Sequence, residues 1–175
     1  MNRESFNLVV FSLFITLSIV SHVIAYKIIE VNGFDIIPSS LTYMMCFVLI
    51  DVMSTYNKKK IVYLIILIES ISNLIFIFIA NYVSVLKSPD YVYTSMCYSV
   101  VFNPVMNLYV ANVLGSLIAF FIDLKLFTFF YKRKGFLKST LISSAITISI
   151  YTVLTDIIAF RDVYPNNYIE ITGNN

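Results

Sequence analysis

Charge is scarce in this chain. Only 13% of its 175 residues are charged and 59% are hydrophobic, whereas a soluble domain of that size needs far more charge to cover its surface. The few charges nearly cancel, 12 Lys and Arg against 10 Asp and Glu. The basic runs sit between apolar segments rather than on one face, so direct binding of nucleic acid is not expected. Cysteine is limited to Cys46 and Cys97, which fall in different kinds of segment and make no metal or redox spacing. The four glycines include no phosphate loop, which argues against a nucleotide-driven pump on this polypeptide. The single histidine, His22, has no nucleophile or metal ligand at a recognisable spacing. It reads as a satisfied core residue, with its place one turn after Ser18 leaving a proton-relay role open. Without a nucleophile motif or a ligand cluster, the chain reads as a non-enzyme that needs no cofactor or metal.

What the chain does have is long apolar runs. A hydrocarbon core of ~30 Å takes about 20 residues of helix, and five stretches meet that length: Leu8 to Ile29, Ile36 to Tyr56, Ile61 to Leu86, Val105 to Tyr131 and Leu137 to Phe160. Lipid offers exposed backbone groups no partner, so the runs must be helices. A barrel would alternate apolar and polar residues over about ten-residue strands, and these runs do not. The expected fold is all-α: a polytopic membrane helix bundle of about five transmembrane helices, forming a single transmembrane domain with a polar tail over 161–175. The first run is too long for the apolar core of a secretory signal, and no good cleavage site follows it. No internal repeat stands out.

Loop charge gives an orientation. Arg3, Lys58-Lys59-Lys60, Lys132-Arg133-Lys134 and Lys138 fall on one side, against Lys27, Lys87 and Arg161 on the other. The richer side is expected to be cytoplasmic, placing the N-terminus inside and the C-terminus, after five crossings, outside. The stretch from Lys87 to Pro104 then reads as an external loop, with Tyr91, Tyr93 and Tyr98 at the headgroup level.

The informative residues are polar ones within spans. A charge at the bilayer centre costs ~2.5–3.5 kcal/mol on insertion scales, so such groups face the bundle interior, pair or line a pathway. Asp51, Lys27 and Asp156 lie near span ends, where an interfacial role competes with a functional one. Lys125 reads as snorkelling towards the cytoplasm. Glu69 and Asp123 are deeper. Glu69 and Asn73 share a helix face that Ala80 continues. Asn112, Ser116, Ala119 and Asp123 make a second strip beside Gly115, and Thr140, Ser144, Thr147, Tyr151 and Thr155 a third. Close helix packing is the competing explanation, since small and hydroxyl residues let membrane helices approach. The candidate substrate-binding or coupling residues are Glu69, Asn73, Asn112, Asp123, Asp51, Lys27 and Thr147. Carboxylates and amides among many aromatics suit a planar, hydrogen-bonding heterocycle, addressed at its edge and stacked on its face.

The order of short motifs completes the reading. Ala25-Tyr26-Lys27-Ile28-Ile29 closes the first run, and Gly33 leads to Pro38-Ser39-Ser40 at the start of the second. Asp51-Val52 precedes the lysine turn. Tyr98-x-x-Val101-Phe102, Ala111 and Ile122-Asp123-Leu124-x-x-Phe127 mark the fourth run, and Ser139-Thr140 and Ile158-Ala159-Phe160 bound the fifth. With these motifs in this order the chain resembles the queuosine precursor transporter family, also called the vitamin uptake transporter-like family. The resemblance implies inner-membrane uptake of a 7-deazaguanine base, cyano- or aminomethyl-substituted, for queuosine modification of tRNA. Some of the family's polar positions differ. Ser54-Thr55 follows Asp51-Val52, Asn107 and Asn112 stand for a basic residue and a serine, Phe120 for a glutamine and Thr147 for an aspartate. The family's sixth helix has no counterpart here, so the chain reads as a diverged member lacking the last helix, one that a second copy could complete as a homo-oligomer. Other readings are a membrane-embedded solute-binding subunit of a larger uptake complex and a non-transporting structural protein.

Overall fold

A helix satisfies its own backbone, and this sequence uses helices wherever it is apolar. The computed structural model describes residues 2–25, 27–31, 34–87, 89 and 94–161, with side chains over 2–25, 27–30, 36–87, 89, 102 and 109–153. Its helices are α1 (Arg3–Ile24), α2 (Ser39–Tyr56), α3 (Lys59–Ser84), α4 (Thr94–Lys134) and α5 (Phe136–Arg161), with strands β1 (Ile29–Val31) and β2 (Phe34–Ile36) between α1 and α2. Five helical stretches are long and apolar enough to cross a membrane among the described residues: Arg3–Ile24, Ser39–Tyr56, Lys59–Ser84, Tyr109–Lys134 and Phe136–Val153. The expected all-α membrane bundle is the observed class.

The helix ends have local causes. The Asn2 side chain caps α1, accepting from the Ser5 amide at 2.8 Å, and Glu4 lies in the first turn where the helix dipole favours an acid. Asn57 turns extended and ends α2, its side-chain amide donating to the Met53 carbonyl at 3.0 Å. Lys58, also extended, opens α3 at once. Gly135 alone separates α4 from α5 and has a φ of 73°, a left-handed conformation that glycine adopts without strain.

Three expected boundaries need correction, the first being that α2 begins at Ser39 rather than Ile36, which belongs to β2. The first helix stops at Ile24 rather than Ile29, because Ile29–Val31 pairs antiparallel with Phe34–Ile36 in a hairpin. The sequence between the paired strands is Asn32-Gly33, a strong two-residue hairpin signal flanked by β-formers. The stretch to Pro104 is not all loop, since α4 begins at Thr94 and runs through Pro104. A proline is tolerated in membrane helices where neighbours re-satisfy the freed backbone. Tyr91 and Tyr93 and the tail 162–175 lie outside the described residues, as do the side chains of Cys97, Tyr98, Asn107, Thr155 and Asp156.

Lipid inverts the usual surface. Leu41, Leu64, Ile75, Phe78, Leu137 and Leu141 are exposed, and the interior carries the polar residues. The most extensive helix contacts join α4 with α5, α3 with α4, and α1 with α2. At one end of the bundle the Arg3 guanidinium donates to the Tyr56 carbonyl, Asn7 and Asn57 exchange side-chain amide bonds at 3.0 and 3.1 Å, and Lys59 reaches Thr128 at 3.1 Å. The lysine turn and the basic end of α4 therefore gather on the same end as the start of α1. The hairpin lies at the opposite end.

Candidate functional site

Each helix turns one polar stripe inward, and the stripes meet at two levels. Along α1, rising from the basic end, the buried residues are Val10, Phe14, Ser18, Ser21 and His22. Descending α2 they include Tyr43, Phe47, Ile50 and Asp51. Ascending α3 come Val62, Ile66, Glu69, Ser70 and Asn73. Descending α4 are Tyr109, Asn112, Ser116, Phe120 and Asp123, and ascending α5 are Ser139, Thr140, Ser143, Ser144 and Thr147. Read by helix direction, α2 and α4 pass from an upper polar tier towards the hairpin through an aromatic layer to a lower polar tier towards the basic end, while α1 and α3 are polar only in the upper tier and α5 supplies hydroxyls to the lower one.

The upper tier is organised around Glu69 and Asn73, one helical turn apart and both fully buried. Glu69 Oε1 accepts from the Ser18 hydroxyl and from Asn73 Nδ2 at 2.8 Å, and Oε2 accepts from Ser70 at 3.0 Å. Asn73 Oδ1 in turn accepts from the Tyr109 hydroxyl at 2.8 Å. His22 Nδ1 lies 2.8 Å from the Ser18 carbonyl, which can only accept, so Nδ1 carries the proton. In the neutral ring Nε2 is then an acceptor, facing the Tyr43 hydroxyl at 2.8 Å. The backbone of Asn112 also meets His22. Rings close the tier, with His22 and Tyr109 centroids 5.1 Å apart, His22 and Tyr43 at 5.5 Å, and Tyr43 and Tyr151 at 4.9 Å. His22 is the satisfied core histidine the sequence suggests, and it belongs to the network around Glu69.

Below lies the aromatic layer. Phe120 meets Phe14 edge-on at 5.3 Å and Phe47 at 5.2 Å, and Ile66 and Ala119 pack into the same core. No polar side chain of α1, α2, α3 or α4 stands at this level among the residues just ordered.

The lower tier differs in kind. Asp51 and Asp123 are fully buried and face each other, Thr140 lies against Asp51, and Ser143 and Thr147 against Asp123. Yet no oxygen of either carboxyl completes a hydrogen bond of ordinary geometry, and the hydroxyls of Thr140, Ser144 and Thr147 are likewise unsatisfied. Leaving such groups unpaired costs about 1–3 kcal/mol each and more for a charge, so this is the most expensive part of the described interior.

The candidate residues thus divide. Glu69, Asn73 and Asn112 come together in the upper tier and Asp51, Asp123 and Thr147 in the lower. The candidates do not line one site, because the phenylalanine layer stands between Glu69 and Asp123. Asp51 is interior rather than interfacial, since it shares an inward face with Tyr43 and Phe47. Lys27 is exposed beyond the end of α1 and belongs to neither tier. Sequence reasoning missed Tyr43, Tyr109 and Ser70. Of the 13 tyrosines the polar strips pick out Tyr151 but not Tyr43 or Tyr109. Among the described residues no group of three or more His, Cys, Asp or Glu side chains could hold a metal.

A family model described as "Putative vitamin uptake transporter" matches residues 38–175. The chain belongs to this family. It is the queuosine precursor transporter-like family that the motif order indicates, and the match takes in α2 to α5 with both carboxylates of the lower tier. No curated protein and no solved structure matches the chain. A multi-pass membrane protein of a transporter family is therefore what the residues, the helices and the comparison agree on.

Proposed function

We propose that this protein takes up a 7-deazaguanine base, the cyano- or aminomethyl-substituted precursor of queuosine, and that the upper tier binds it. The observation that carries the reading is the Glu69–Asn73 pair, a carboxylate and an amide one turn apart within a ring of His22, Tyr43 and Tyr109. A guanine-like edge presents two adjacent N–H donors and a carbonyl. A carboxylate accepts the donors, an amide N–H serves the carbonyl, and aromatic faces cover the ring. The donors that now occupy Glu69, from Ser18, Ser70 and Asn73, are the same type the base would offer, so binding exchanges bonds rather than creating an unpaired charge. The tier is fully buried, and access requires the bundle to open to each side in turn. Loop charge supports an inner-membrane orientation with the N-terminus cytoplasmic and the C-terminus external.

The test is rescue of tRNA queuosine in a strain lacking its own precursor uptake and synthesis, fed the labelled base. Wild type should restore the modification, while Glu69→Gln and Asn73→Ala at equal membrane levels should not. No rescue by wild type despite membrane insertion would sink the reading and leave a structural membrane protein or a subunit needing a partner. A reporter fused after residue 175 that is active only on the cytoplasmic side would reverse the orientation.

A further inference from the structure

With the base assigned to the upper tier, the lower tier is left without a role, and its composition calls for an occupant. The polar side-chain atoms that meet there are oxygens: two carboxyls from α2 and α4, and the hydroxyls of Thr140, Ser143 and Thr147 from α5. Nitrogen and sulfur donors, which suit zinc or copper, are missing from the set, and hard oxygen donors suit alkali and alkaline-earth ions. Every described lysine and arginine side chain is exposed, so among the described residues none is buried beside the pair. The apolar core that takes in Ile50 and Leu124, next in sequence to the two aspartates, draws Val10, Phe14, Val62 and Ile66 from α1 and α3. Asp51, Asp123, Thr140 and Thr147 are each more than nine-tenths buried, come from three helices and complete no hydrogen bond of ordinary geometry, so the cluster is not a solvated acidic face.

We propose that Asp51, Asp123, Thr140 and Thr147 bind a sodium ion, at a site separate from the base and divided from it by Phe14, Phe47 and Phe120. A monovalent ion fits better than a divalent one on two counts. Magnesium keeps several waters and demands near-octahedral geometry, and calcium takes six to eight oxygens, mostly carboxylate and carbonyl. These carboxyls are fully buried, and the remaining donors are hydroxyls. An ion that serves a transport cycle must also leave it, and binding has to be weak enough for release. The two tiers share α2 and α4, which carry Tyr43 with Asp51 and Tyr109 with Asp123. Filling the lower tier fixes the spacing of helices that also frame the upper one.

The experiment uses the purified full chain with no base present, so its outcome does not depend on the substrate reading. Thermal unfolding is followed in sodium, potassium and choline chloride. Sodium should raise the midpoint saturably, on the order of 5 °C at ~100-fold excess over Kd, and choline should not. Asp123→Asn and the near-isosteric Thr147→Val should each remove the shift. Thr147→Val keeps both carboxyls and decides the matter if the aspartate variant does not fold. Equal midpoints in all three salts would overturn the assignment. So would a shift given only by potassium, or a sodium shift that survives Thr147→Val. Should sodium stabilise the protein as expected while no base is taken up, the substrate reading falls and the ion site stands.

Discussion

Two polar layers lie within one bundle, on the same helices, and satisfy their groups in opposite ways. In the upper tier each oxygen of Glu69 accepts from a side chain, whether Ser70 beside it, Asn73 one turn on or Ser18 on α1, and Asn73 relays the chain to Tyr109. In the lower tier two carboxyls confront each other with no hydrogen bond completed. The difference teaches where polar residues in lipid are self-sufficient and where they wait for something else. A closed network holds helices together, with an average of ~0.6 kcal/mol per interhelical bond in a membrane. An open one costs stability until it is filled.

The comparison can be broken or sharpened by substitution. The largest effect should come from the layer between the tiers. Phe120→Ala removes a ring that meets Phe14, Phe47 and Tyr43 and should destabilise by about 3 kcal/mol, the low end for such cavities because lipid supplies no transfer term. Reversible unfolding in mixed micelles measures it. Next, Glu69→Ala strands the donors of Ser18, Ser70 and Asn73 and should cost about 2 kcal/mol. A loss no larger than that of an exposed residue would deny the upper tier its central role. Smaller, and opposite in sign, is the double change Asp51→Asn with Asp123→Asn. Removing two uncompensated carboxyls should leave the protein unchanged or more stable by about 1 kcal/mol in sodium-free buffer, a result no upper-tier substitution should give. Destabilisation beyond 1 kcal/mol there would show that the carboxyls already have structural partners. The smallest effect, about 0.6 kcal/mol, is expected for Tyr43→Phe, which deletes one bond to His22 and keeps the ring.

Much of this arrangement could be read from spacing. Glu69, Asn73 and Ala80 lie on one inward face of α3, and the α4 strip from Asn112 to Asp123 is buried throughout. Thr140, Ser144 and Thr147 turn inward from α5 as their period requires. Periodicity says which residues share a face but not how far one helix slides against another. That offset is why Glu69 and Asp123, both deep in their runs, sit on different levels. Distance from a helix end is equally silent about direction, and Asp51 near the end of α2 points inward all the same. The hairpin was present in Asn32-Gly33 and its flanking β-formers, yet a long apolar run masks such a signal. Pro104 within α4 misleads because a proline that ends a soluble helix need not end one surrounded by other helices.

The single residue between α4 and α5 has a consequence for motion. A connection of one glycine leaves almost no slack, and α4 and α5 make the most extensive helix contact, so they form one packed body carrying Asp123, Thr140 and Thr147 together. Asp51 rides on α2, outside that body. The separation between the two aspartates is then an internal gauge of the bundle, lengthening or shortening as its halves rock. A pair of labels on α2 and α5 would read that gauge directly.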